Sequence, residues 1–196
     1  MTMPSDKRIT ICGAGTLGGN LAENLARIGF RQLTIIDRDQ VEERNLSNQP
    51  YFSHDVGRPK VKALAQSLFN AVGARISGIH RELTAGNGEK LLSDVALVID
   101  TFDNNAARCA VKEICAKNAI PCLHAGISDD GYGEVIWNER YQVPPDGEQD
   151  PCEKPMSRTL SLIVISVATE AILSYLDKGE KKSYTITLKD LVIGRF

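Results

Sequence analysis

The stretch from residue 9 to residue 29 most constrains what this chain can fold into. Three glycines, Gly13, Gly15 and Gly18, stand between an alternating β-branched segment and a segment with apolar residues at helical spacing. In such a strand–loop–helix unit the first glycine permits a tight turn and the second lets a phosphate approach the backbone, while the third lets helix and strand pack closely. The helix also presents free N–H groups and the positive end of its dipole to an anion. The sequence therefore predicts a nucleotide-binding βαβ unit.

Strand and helix patterns alternate along residues 8 to 125. The β-branched and apolar segments predict strands at 8–12, 32–37, 74–81, 95–100 and 120–125. Apolar residues at helical spacing predict helices at 16–29, 57–73 and 104–118. Alternation of this kind indicates a parallel sheet with helices on both faces and right-handed crossover connections.

The pattern changes after residue 133. We predict a strand at 133–137, a long proline-rich loop at 138–157, a helix at 158–176 and closing strands at 183–188 and 191–196. Loops of this length in compact domains are usually functional or mobile. The 196 residues are expected to form a single domain, 1–196, of the α/β class. In this domain a C-terminal helix and antiparallel strands extend the mainly parallel sheet.

Composition argues against several classes of protein. Hydrophobic residues make up 42% of the chain and charged residues 24%, as in ordinary soluble domains, and the formal net charge is −2. That charge provides no electrostatic reason to expect nucleic acid or an anionic membrane as a partner. No apolar targeting segment precedes the first strand, and the longest apolar run, 160–173, is too short to span a bilayer. We therefore expect a cytoplasmic protein.

The five cysteines do not form a metal or redox motif. None of them is spaced as C-x-x-C, so neither a structural zinc site nor a reactive dithiol is expected. Cys12, Cys115 and Cys122 stand in apolar segments, where a free cysteine usually belongs to the core. Cys152 differs from these because it stands in the long proline-rich loop.

An acid ends the second predicted strand. Asp37 stands about twenty residues after the glycine loop, where a carboxylate can accept hydrogen bonds from ribose hydroxyls. The alternative is a strand-end aspartate that caps the next turn. Because several classes of nucleotide-binding enzyme share such a loop and acid, an NAD-dependent oxidoreductase is compatible with both features.

Further motifs narrow the choice of ligand. They stand in one order along the chain: Asp37-x-Asp39-x-Val41, Asn45-Leu46-x-x-Gln49, Gly57-x-x-Lys60 and Asp100-x-x-Asp103-Asn104. In this order and spacing, residues 8–137 resemble the HesA/MoeB/ThiF family, with stand-alone ThiF-type sulfur-carrier adenylyltransferases closest in size. Its members are relatives of ubiquitin-activating enzymes that adenylate the C-terminal glycine of small ubiquitin-like proteins. The resemblance implies a Rossmann-like fold, and it implies that 138–157 is the family's crossover loop.

The resemblance also implies ligands and site residues. ATP and Mg2+ would be the cofactors, and the partner would be a small ubiquitin-like sulfur-carrier protein (ThiS- or MoaD-like) ending in Gly-Gly, acted on by a homodimer. Lys60 would be the catalytic lysine on the phosphates and Asp103 the magnesium ligand. Positive charge is needed because an anionic carboxylate attacks an anionic phosphate. The residues expected to bind the nucleotide are Gly13, Gly15, Gly18, Asp37, Asp39, Asn45, Gln49, Lys60, Asp103 and Asn104.

Some of these residues also have purely structural interpretations. Lys60 would then be a surface lysine in the first turn of a helix. Asp103 and Asn104 would cap the helix that follows them, a role that is compatible with metal binding.

One position departs from the family's Asn-Leu-x-Arg-Gln string. Asn48 stands where an arginine normally contacts the phosphates of ATP, and an uncharged amide cannot replace a bidentate guanidinium. The short segment before Ile9 leaves little room for the N-terminal arm whose arginine reaches the partner subunit in relatives. Loss of each such contact costs about 2–4 kcal/mol. Arg44 and Arg58 flank the same loops and are candidates to compensate.

Cys152 has two interpretations. The family's crossover loop passes over the active site, and in some members it carries a catalytic cysteine that captures the activated carboxylate. A thiol there could form a thioester if a neighbour such as Lys154 favoured the thiolate. Alternatively, Cys152 is left from a cysteine pair that binds zinc in relatives.

Three functions are compatible with the sequence. The leading hypothesis is ATP-dependent adenylation of a carrier protein's C-terminal carboxylate, for sulfur transfer or conjugation. The second is a weakly active or inactive relative that binds nucleotide and serves as a scaffold, as Asn48 suggests. The third is an NAD-dependent oxidoreductase, which offers no explanation for Lys60 or Asp103.

Overall fold

The computed structural model of the chain describes residues 6–144 and 157–196. In this part of the chain the strands are β1 Ile9–Cys12, β2 Leu33–Asp37, β3 Ser77–His80, β4 Leu97–Asp100, β5 Cys122–Ile127, β6 Tyr132–Trp137, β7 Tyr184–Thr187 and β8 Val192–Arg195. The α-helices are α1 Thr16–Ile28, α2 Lys60–Val72, α3 Gly88–Leu91, α4 Asn105–Lys117 and α5 Ser157–Lys178. Two 3₁₀ turns, Glu43–Ser47 and Ser53–Asp55, lie between β2 and α2.

These strands form one sheet in the order β3-β2-β1-β4-β5-β6-β7-β8. The strands from β3 to β5 are parallel, and β1 pairs with both β2 and β4. The chain therefore builds one side of the sheet from β1 outward and then returns to the other side of β1 at β4. This reversal of strand order opens a crevice at the carboxyl ends of β1 and β4, where ligands bind in open α/β sheets.

The other side of the sheet ends in antiparallel strands. β6 pairs with β5 and β7 in antiparallel register, and β8 pairs with β7 at the edge. Helix α5 crosses this region closely, since a Cβ on Gly133 would lie 2.5 Å from Cγ2 of Val164. The predicted fold class is confirmed: a Rossmann-like, mainly parallel sheet with helices on both faces, extended by a C-terminal helix and antiparallel strands.

The parallel strands are buried because helices cover both faces of the sheet. Ile11 and Ile99 belong to the hydrophobic cluster that includes α1, α2 and α5, whereas Cys12 and Val98 belong to the cluster that includes α4. A strand buried on both faces reads as a continuous apolar run, as β4 does before its final Asp100. Polar residues that follow such strands are therefore held on a rigid support.

The predicted elements agree with the structure to within three residues at each end. Gly29 adopts φ 117° and ends α1, as predicted for a glycine stop. The short helix α3 and both 3₁₀ turns are not predicted from the sequence. A single turn contains too few residues to show an apolar period.

The longest helix, α5, extends beyond the apolar run from which it was predicted. The apolar run 160–173 lies within α5, which has 22 residues and is long and apolar enough to cross a membrane by length and composition alone. The run 160–173 is too short by itself, but the helix that contains it reaches the necessary length. The helix nevertheless packs against α1, β5 and β6, with Leu160, Val164 and Ala168 in the main hydrophobic cluster. Its contacts are those of a core helix.

Three cysteines occupy the core, as predicted. Cys12, Cys115 and Cys122 are buried, whereas Cys109 is exposed. Burial raises the pKa of Cys12 and of Cys122 well above the ordinary value, so both thiols stay protonated. They are hydrophobic packing elements and not nucleophiles.

Candidate functional site

A cavity of about 230 Å³ opens at the carboxyl ends of β1, β2 and β4. Its walls come from the loop after β1, the first 3₁₀ turn, the start of α2 and the segments that follow β3 and β4. The predicted nucleotide-binding residues that line it are Gly13, Gly15, Asp37, Asp39, Asn45, Gln49, Lys60, Asp103 and Asn104. Gly18, the remaining one, lies behind the loop.

The glycine loop has the geometry that its spacing predicts. Gly13 starts the turn with φ +101°, and a Cβ on Gly18 would lie 2.1 Å from the carbonyl oxygen of Gly13. Only glycine therefore lets α1 pack against the loop. A Cβ on Gly15, by contrast, would meet no atom within 4 Å. The missing side chain at Gly15 leaves space in the cavity beside the first turn of α1, where a helix has backbone N–H groups without an acceptor inside the helix.

Asp37 ends β2 and is 7% exposed. Its Oδ2 accepts a hydrogen bond from the Ala14 N–H at 2.7 Å, and its Oδ1 accepts one from the Asp39 N–H at 2.7 Å. Burial raises the pKa of Asp37, although these hydrogen bonds and the charge of Lys60 act in the opposite direction. Each carboxylate oxygen has a further lone pair. Asp37 therefore caps the following turn and can also accept hydrogen bonds from two ribose hydroxyls.

Lys60 is not a surface lysine. Its side chain is 9% exposed, and its Nζ lies 3.3 Å from Oδ2 of Asp39 at the wall of the cavity. The Lys60 N–H also donates to the Asp39 carbonyl, which sets the start of α2 beside the end of β2. The buried stem and the backbone contact together direct one positive charge into the cavity.

Two amide side chains of the predicted motif lie on the same wall. Asn45 Oδ1 accepts the Glu42 N–H at 2.9 Å and so closes the start of the first 3₁₀ turn. The Gln49 N–H donates to the Asn45 carbonyl, and Oε1 of Gln49 is buried without a hydrogen-bond partner among the described residues. An unsatisfied buried amide oxygen is costly. Gln49 is therefore a candidate contact for a ligand in this cavity.

Asp103 and Asn104 follow β4 and have different roles. Asn104 is the N-cap of α4, because its Oδ1 accepts the Ala107 N–H at 2.9 Å. Asp103 is exposed and makes no side-chain hydrogen bond or ion pair with the residues that the structure describes. The predicted cap is thus confirmed at Asn104, and the carboxylate of Asp103 is available to the cavity.

The donors around the cavity fit Mg2+ that is bound together with a nucleotide. Mg2+ prefers oxygen ligands and is commonly held by one or two carboxylates together with substrate phosphates and water. Within residues 6–144 and 157–196, no group of three or more His, Cys, Asp or Glu side chains could hold a metal by itself. Asp103 alone fits an ion whose remaining ligands come from phosphates.

The charges that line the cavity are mostly paired with one another. The pairs are Arg38 with Glu82 at 2.5 Å, Arg44 with Glu42 at 2.7 Å and Lys60 with Asp39 at 3.3 Å. Arg81 also lines the cavity, and its side chain has no such partner in the described part of the chain. Acids outnumber cations by one when Asp37 and Asp103 are included. We therefore expect a polyphosphate to bind together with a metal ion or with a change of partners among the paired cations.

Asn48 does not line the cavity. It is 1% exposed, and its Nδ2 donates to Oγ of Ser157 at the start of α5, at 3.2 Å. Its carbonyl accepts hydrogen bonds from Nδ2 of Asn20 and from Nη1 of Arg158. The residue at the position of the expected arginine therefore joins α1 to the start of α5.

The two candidates to compensate for Asn48 lie in different places. Arg58 donates from Nη1 to the buried Oδ1 of Asp55 at 2.7 Å and lines a second cavity, beside α2. Arg44 lines the nucleotide cavity. The structure therefore favours Arg44.

A buried polar network behind Asp103 is not predicted from the sequence. His124 and Asp100 have no exposed side-chain surface, and Nδ1 of His124 lies 2.8 Å from Oδ2 of Asp100. The other ring nitrogen lies 2.8 Å from Oδ1 of Asn138, and the ring stacks on Tyr141 with 3.8 Å between centroids. The available signal was a histidine inside an apolar strand, since a buried polar side chain needs a partner.

Arg108 connects this network to the turn that carries Asp103. Its Nε donates to the Phe102 carbonyl at 2.5 Å, and its Nη1 donates to the Tyr141 hydroxyl at 2.6 Å. Asp100 Oδ1 accepts the Phe102 N–H at 3.1 Å. The turn after β4 is therefore anchored from both sides, which positions Asp103.

Cys152, Lys154 and most of the predicted loop 138–157 fall on residues 145–156, outside the described residues. The catalytic role suggested for Cys152 and the crossover loop itself stay predictions.

Comparison with known proteins agrees with the cavity and its motifs. Residues 4–189 match the ThiF family. The chain belongs to the ThiF family. A similar protein is the sulfur carrier protein ThiS adenylyltransferase of Bacillus subtilis (strain 168), 32% identical over 132 residues, which are 65% of this chain and 39% of the relative.

Two further relatives are similar to this chain. The SAMP-activating enzyme E1 of Haloferax volcanii is 28% identical over 122 residues, 61% of this chain and 45% of the relative. Ubiquitin-like modifier-activating enzyme 5 of Drosophila virilis is 32% identical over 165 residues, 77% of this chain and 40% of the relative. The chain thus spans less than half the length of these curated relatives.

Solved structures share the fold. E. coli MccB with MccA-N7isoASN has a TM-score of 0.81 at 17% identity, over 98% of this chain and 64% of that chain. E. coli MccB with ATP has a TM-score of 0.79 at 18% identity over the same shares. At this identity the likeness supports the fold alone. The three relatives described above are named as an adenylyltransferase and two activating enzymes, and none of them is named as an oxidoreductase.

Proposed function

We propose that this ThiF-family protein uses ATP to adenylate the C-terminal glycine carboxylate of a small ubiquitin-like carrier protein. The observation that carries the proposal is the cavity at the reversal of strand order, where the predicted nucleotide-binding residues meet. The names of its relatives, a ThiS adenylyltransferase and two activating enzymes, support this class of reaction.

In the proposed reaction a carboxylate oxygen of the carrier attacks the α-phosphorus of ATP. A bond forms between that oxygen and phosphorus, and the bond from phosphorus to the oxygen that bridges the α- and β-phosphates breaks. Pyrophosphate leaves with that electron pair, and the carrier keeps the AMP as an acyl adenylate. Both reactants are anions, so the site must lower their repulsion.

The side chains around the cavity suit this task. Asp37 accepts hydrogen bonds from the ribose hydroxyls, which places the α-phosphate at the glycine loop and at the N-terminus of α1. Lys60 leaves Asp39 and donates to phosphate oxygens, while the buried amide of Gln49 gains a partner. Mg2+, when bound with the nucleotide to Asp103, would further neutralise the phosphate charge.

The partner and setting are part of the same proposal. The carrier would be a ThiS- or MoaD-like protein ending in Gly-Gly, used for sulfur transfer or conjugation. We also propose that the enzyme works as a homodimer in the cytoplasm.

Exchange of labelled pyrophosphate into ATP tests the proposal. A panel of β-grasp carriers ending in Gly-Gly is incubated with the protein, and each carrier is paired with a variant that lacks the last glycine. We expect exchange with an intact carrier and none with its truncated form. Absence of exchange with a carrier that binds the protein would refute the proposal.

The second hypothesis, a scaffold that binds nucleotide without activating a carrier, is favoured by the position of Asn48 and the excess of acids in the cavity. Calorimetry with ATP distinguishes it. Binding of ATP without exchange, unchanged by Asn48→Arg, supports the scaffold. Exchange gained by Asn48→Arg identifies a weakened enzyme instead.

A further inference from the structure

Binding of ATP in this cavity requires positive charge that Asn48 does not supply. A triphosphate requires positive charge along its whole length, and Lys60 supplies only one positive charge. Asn48 is uncharged and buried against Ser157 of α5, so its side chain serves the packing of the fold. Among the residues that the structure describes, the candidates for a further cation are those that already line the cavity.

Arg44 is placed to supply that charge. It stands on the first 3₁₀ turn, directly before Asn45, whose side chain closes this turn, and it lines the cavity with Gln49 and Lys60. The Glu42 N–H donates to Oδ1 of Asn45 and the Asn45 N–H donates to the Glu42 carbonyl, so the backbone that carries Arg44 is held by contacts within the turn.

One partner of Arg44, the carboxylate of Glu42, is easily exchanged. Its Nε lies 2.7 Å from Oε2 of Glu42 and its Nη2 lies 3.3 Å from Oε1, a two-point contact that also suits a phosphate. The side chains of Arg44 and Glu42 are 57% and 56% exposed. Ion pairs this exposed contribute little to stability, so a dianionic phosphate can displace the carboxylate.

The other arginines near the cavity are less well placed. Arg58 pairs with Asp55 in the second cavity, and Arg158 donates to the Asn48 carbonyl without lining the nucleotide cavity. Arg81 lines the cavity, but its N–H donates to the Asp37 carbonyl, which places it at the ribose end. Arg38 is paired with Glu82 at the same end.

We propose that Arg44 takes the role of the missing phosphate arginine by leaving Glu42 and binding the phosphates of ATP beyond the α-phosphate. The assignment follows from the order of groups: Asp37 holds the ribose, the glycine loop takes the α-phosphate, and the remaining phosphates reach the wall formed by the 3₁₀ turn. This inference rests on the proposed function, because it takes ATP as the ligand.

Calorimetry with two nucleotides tests the assignment. Arg44→Ala is expected to raise the Kd of ATP by about ten- to a hundredfold, the usual size of a charge-assisted phosphate contact, and to leave the Kd of AMP unchanged. Arg44→Lys keeps the charge but loses the bidentate guanidinium, so its Kd for ATP is expected to lie between those of Arg44→Ala and the parent protein. Arg58→Ala is the matched control and is expected to bind both nucleotides normally. Arg81→Ala is expected to change the Kd of ATP and the Kd of AMP by the same factor.

The exchange of Glu42 for phosphate by Arg44 can also be tested from the side of Glu42. Glu42→Gln removes the acid that competes for Arg44, so the Kd of ATP is expected to fall, by about two- to fivefold for an exposed pair. In the double variant with Arg44→Ala this gain is expected to shrink, which a double-mutant cycle measures. A gain of equal size in the double variant would show that Glu42 acts only through general repulsion, and would overturn the exchange.

The outcomes separate this inference from the proposed function. If the parent protein binds ATP and Arg44→Ala matches Arg58→Ala, the assignment of Arg44 is wrong and the proposed function stands. If Arg44→Ala raises the Kd of AMP as much as the Kd of ATP, Arg44 does not reach the outer phosphates and the assignment is again wrong. If the parent protein does not bind ATP at all, the proposed function and the inference both fail.

Discussion

The glycine loop permits a sharp test because two of its glycines are required for different reasons. A methyl group on Gly18 would lie 2.1 Å from the Gly13 carbonyl oxygen and 2.4 Å from Oγ1 of Thr101, whereas one on Gly15 would touch nothing within 4 Å. Gly18→Ala is therefore expected to destabilise the fold, and Gly15→Ala is expected to spare the fold and impair nucleotide binding.

The size of the effect follows from these contacts. A contact of 2.1 Å with a backbone oxygen, which cannot rotate away, belongs to the upper part of the range for overpacking, about 2–3 kcal/mol. Alanine in a helix recovers about 1 kcal/mol relative to glycine, and Gly18 lies in the first turn of α1. The net loss for Gly18→Ala is then about 1–2 kcal/mol. For a domain of this size each kcal/mol lowers Tm by about 2–4 °C, so a fall of about 2–8 °C is expected.

Calorimetric melting and ATP titration of both variants check this reasoning. Gly15→Ala is expected to keep its Tm within about 2 °C of the parent and to raise the Kd of ATP by at least about tenfold, because the new methyl group occupies space that a phosphate needs. Equal melting temperatures for the two variants would refute the packing argument. Parental ATP affinity in Gly15→Ala would refute the placement of the phosphate.

Three further predictions concern two residues of the cavity wall, Lys60 and Asp37, and the buried network behind Asp103. Lys60→Ala is expected to lower the rate of pyrophosphate exchange by about 10²–10³-fold, and Lys62→Ala, an exposed lysine in the same helix turn, is expected to leave it unchanged; similar rates for the two would remove Lys60 from the mechanism. Since burial raises the pKa of Asp37 above 3.8, ATP affinity is expected to fall as the pH is lowered through that raised pKa, and Asp37→Asn should bind weakly without this pH dependence, as calorimetry would show. Because this pKa is higher in the folded than in the unfolded state, protonation of Asp37 stabilises the fold at low pH, and that stability is lost as the pH rises through the folded pKa. Urea melts of Asp37→Asn should lack this contribution to the pH dependence of the free energy of unfolding. His124→Phe leaves the carboxylate of Asp100 buried without its partner and is expected to lower the free energy of unfolding by about 3 kcal/mol; a urea midpoint equal to the parent's would contradict this.

Local features explain how much of the fold could be predicted. The glycine loop, the β-branched strands and the helical periodicity each act over neighbouring residues, so their elements appear at the expected places. The roles predicted for Lys60 and Asp103 come from the resemblance to the HesA/MoeB/ThiF family. That Asp37 and Asp103 line one cavity follows from the fold, because the carboxyl ends of parallel strands meet at one edge of the sheet. Lys60 is buried because its backbone N–H binds the Asp39 carbonyl. The alternation of strands and helices in the sequence does not by itself predict this contact.

The features that escaped prediction depend on side-chain contacts between distant segments. The partners of His124 are Asp100 and Asn138, residues 24 and 14 positions away. Arg44 and Arg58 look equivalent in the sequence, but the 3₁₀ turn directs Arg44 into the cavity while Asp55 holds Arg58 elsewhere. No local pattern distinguishes these environments.

Mass spectrometry of a carrier protein tests the central claim most directly. The protein, ATP and Mg2+ are mixed with a β-grasp carrier ending in Gly-Gly, and in parallel with the same carrier lacking its last glycine. We predict a mass increase of one adenylyl group at the C-terminus of the intact carrier, with release of pyrophosphate, and no adduct on the truncated carrier. An unmodified intact carrier that demonstrably binds the protein would contradict the account, as would an adduct at any other position.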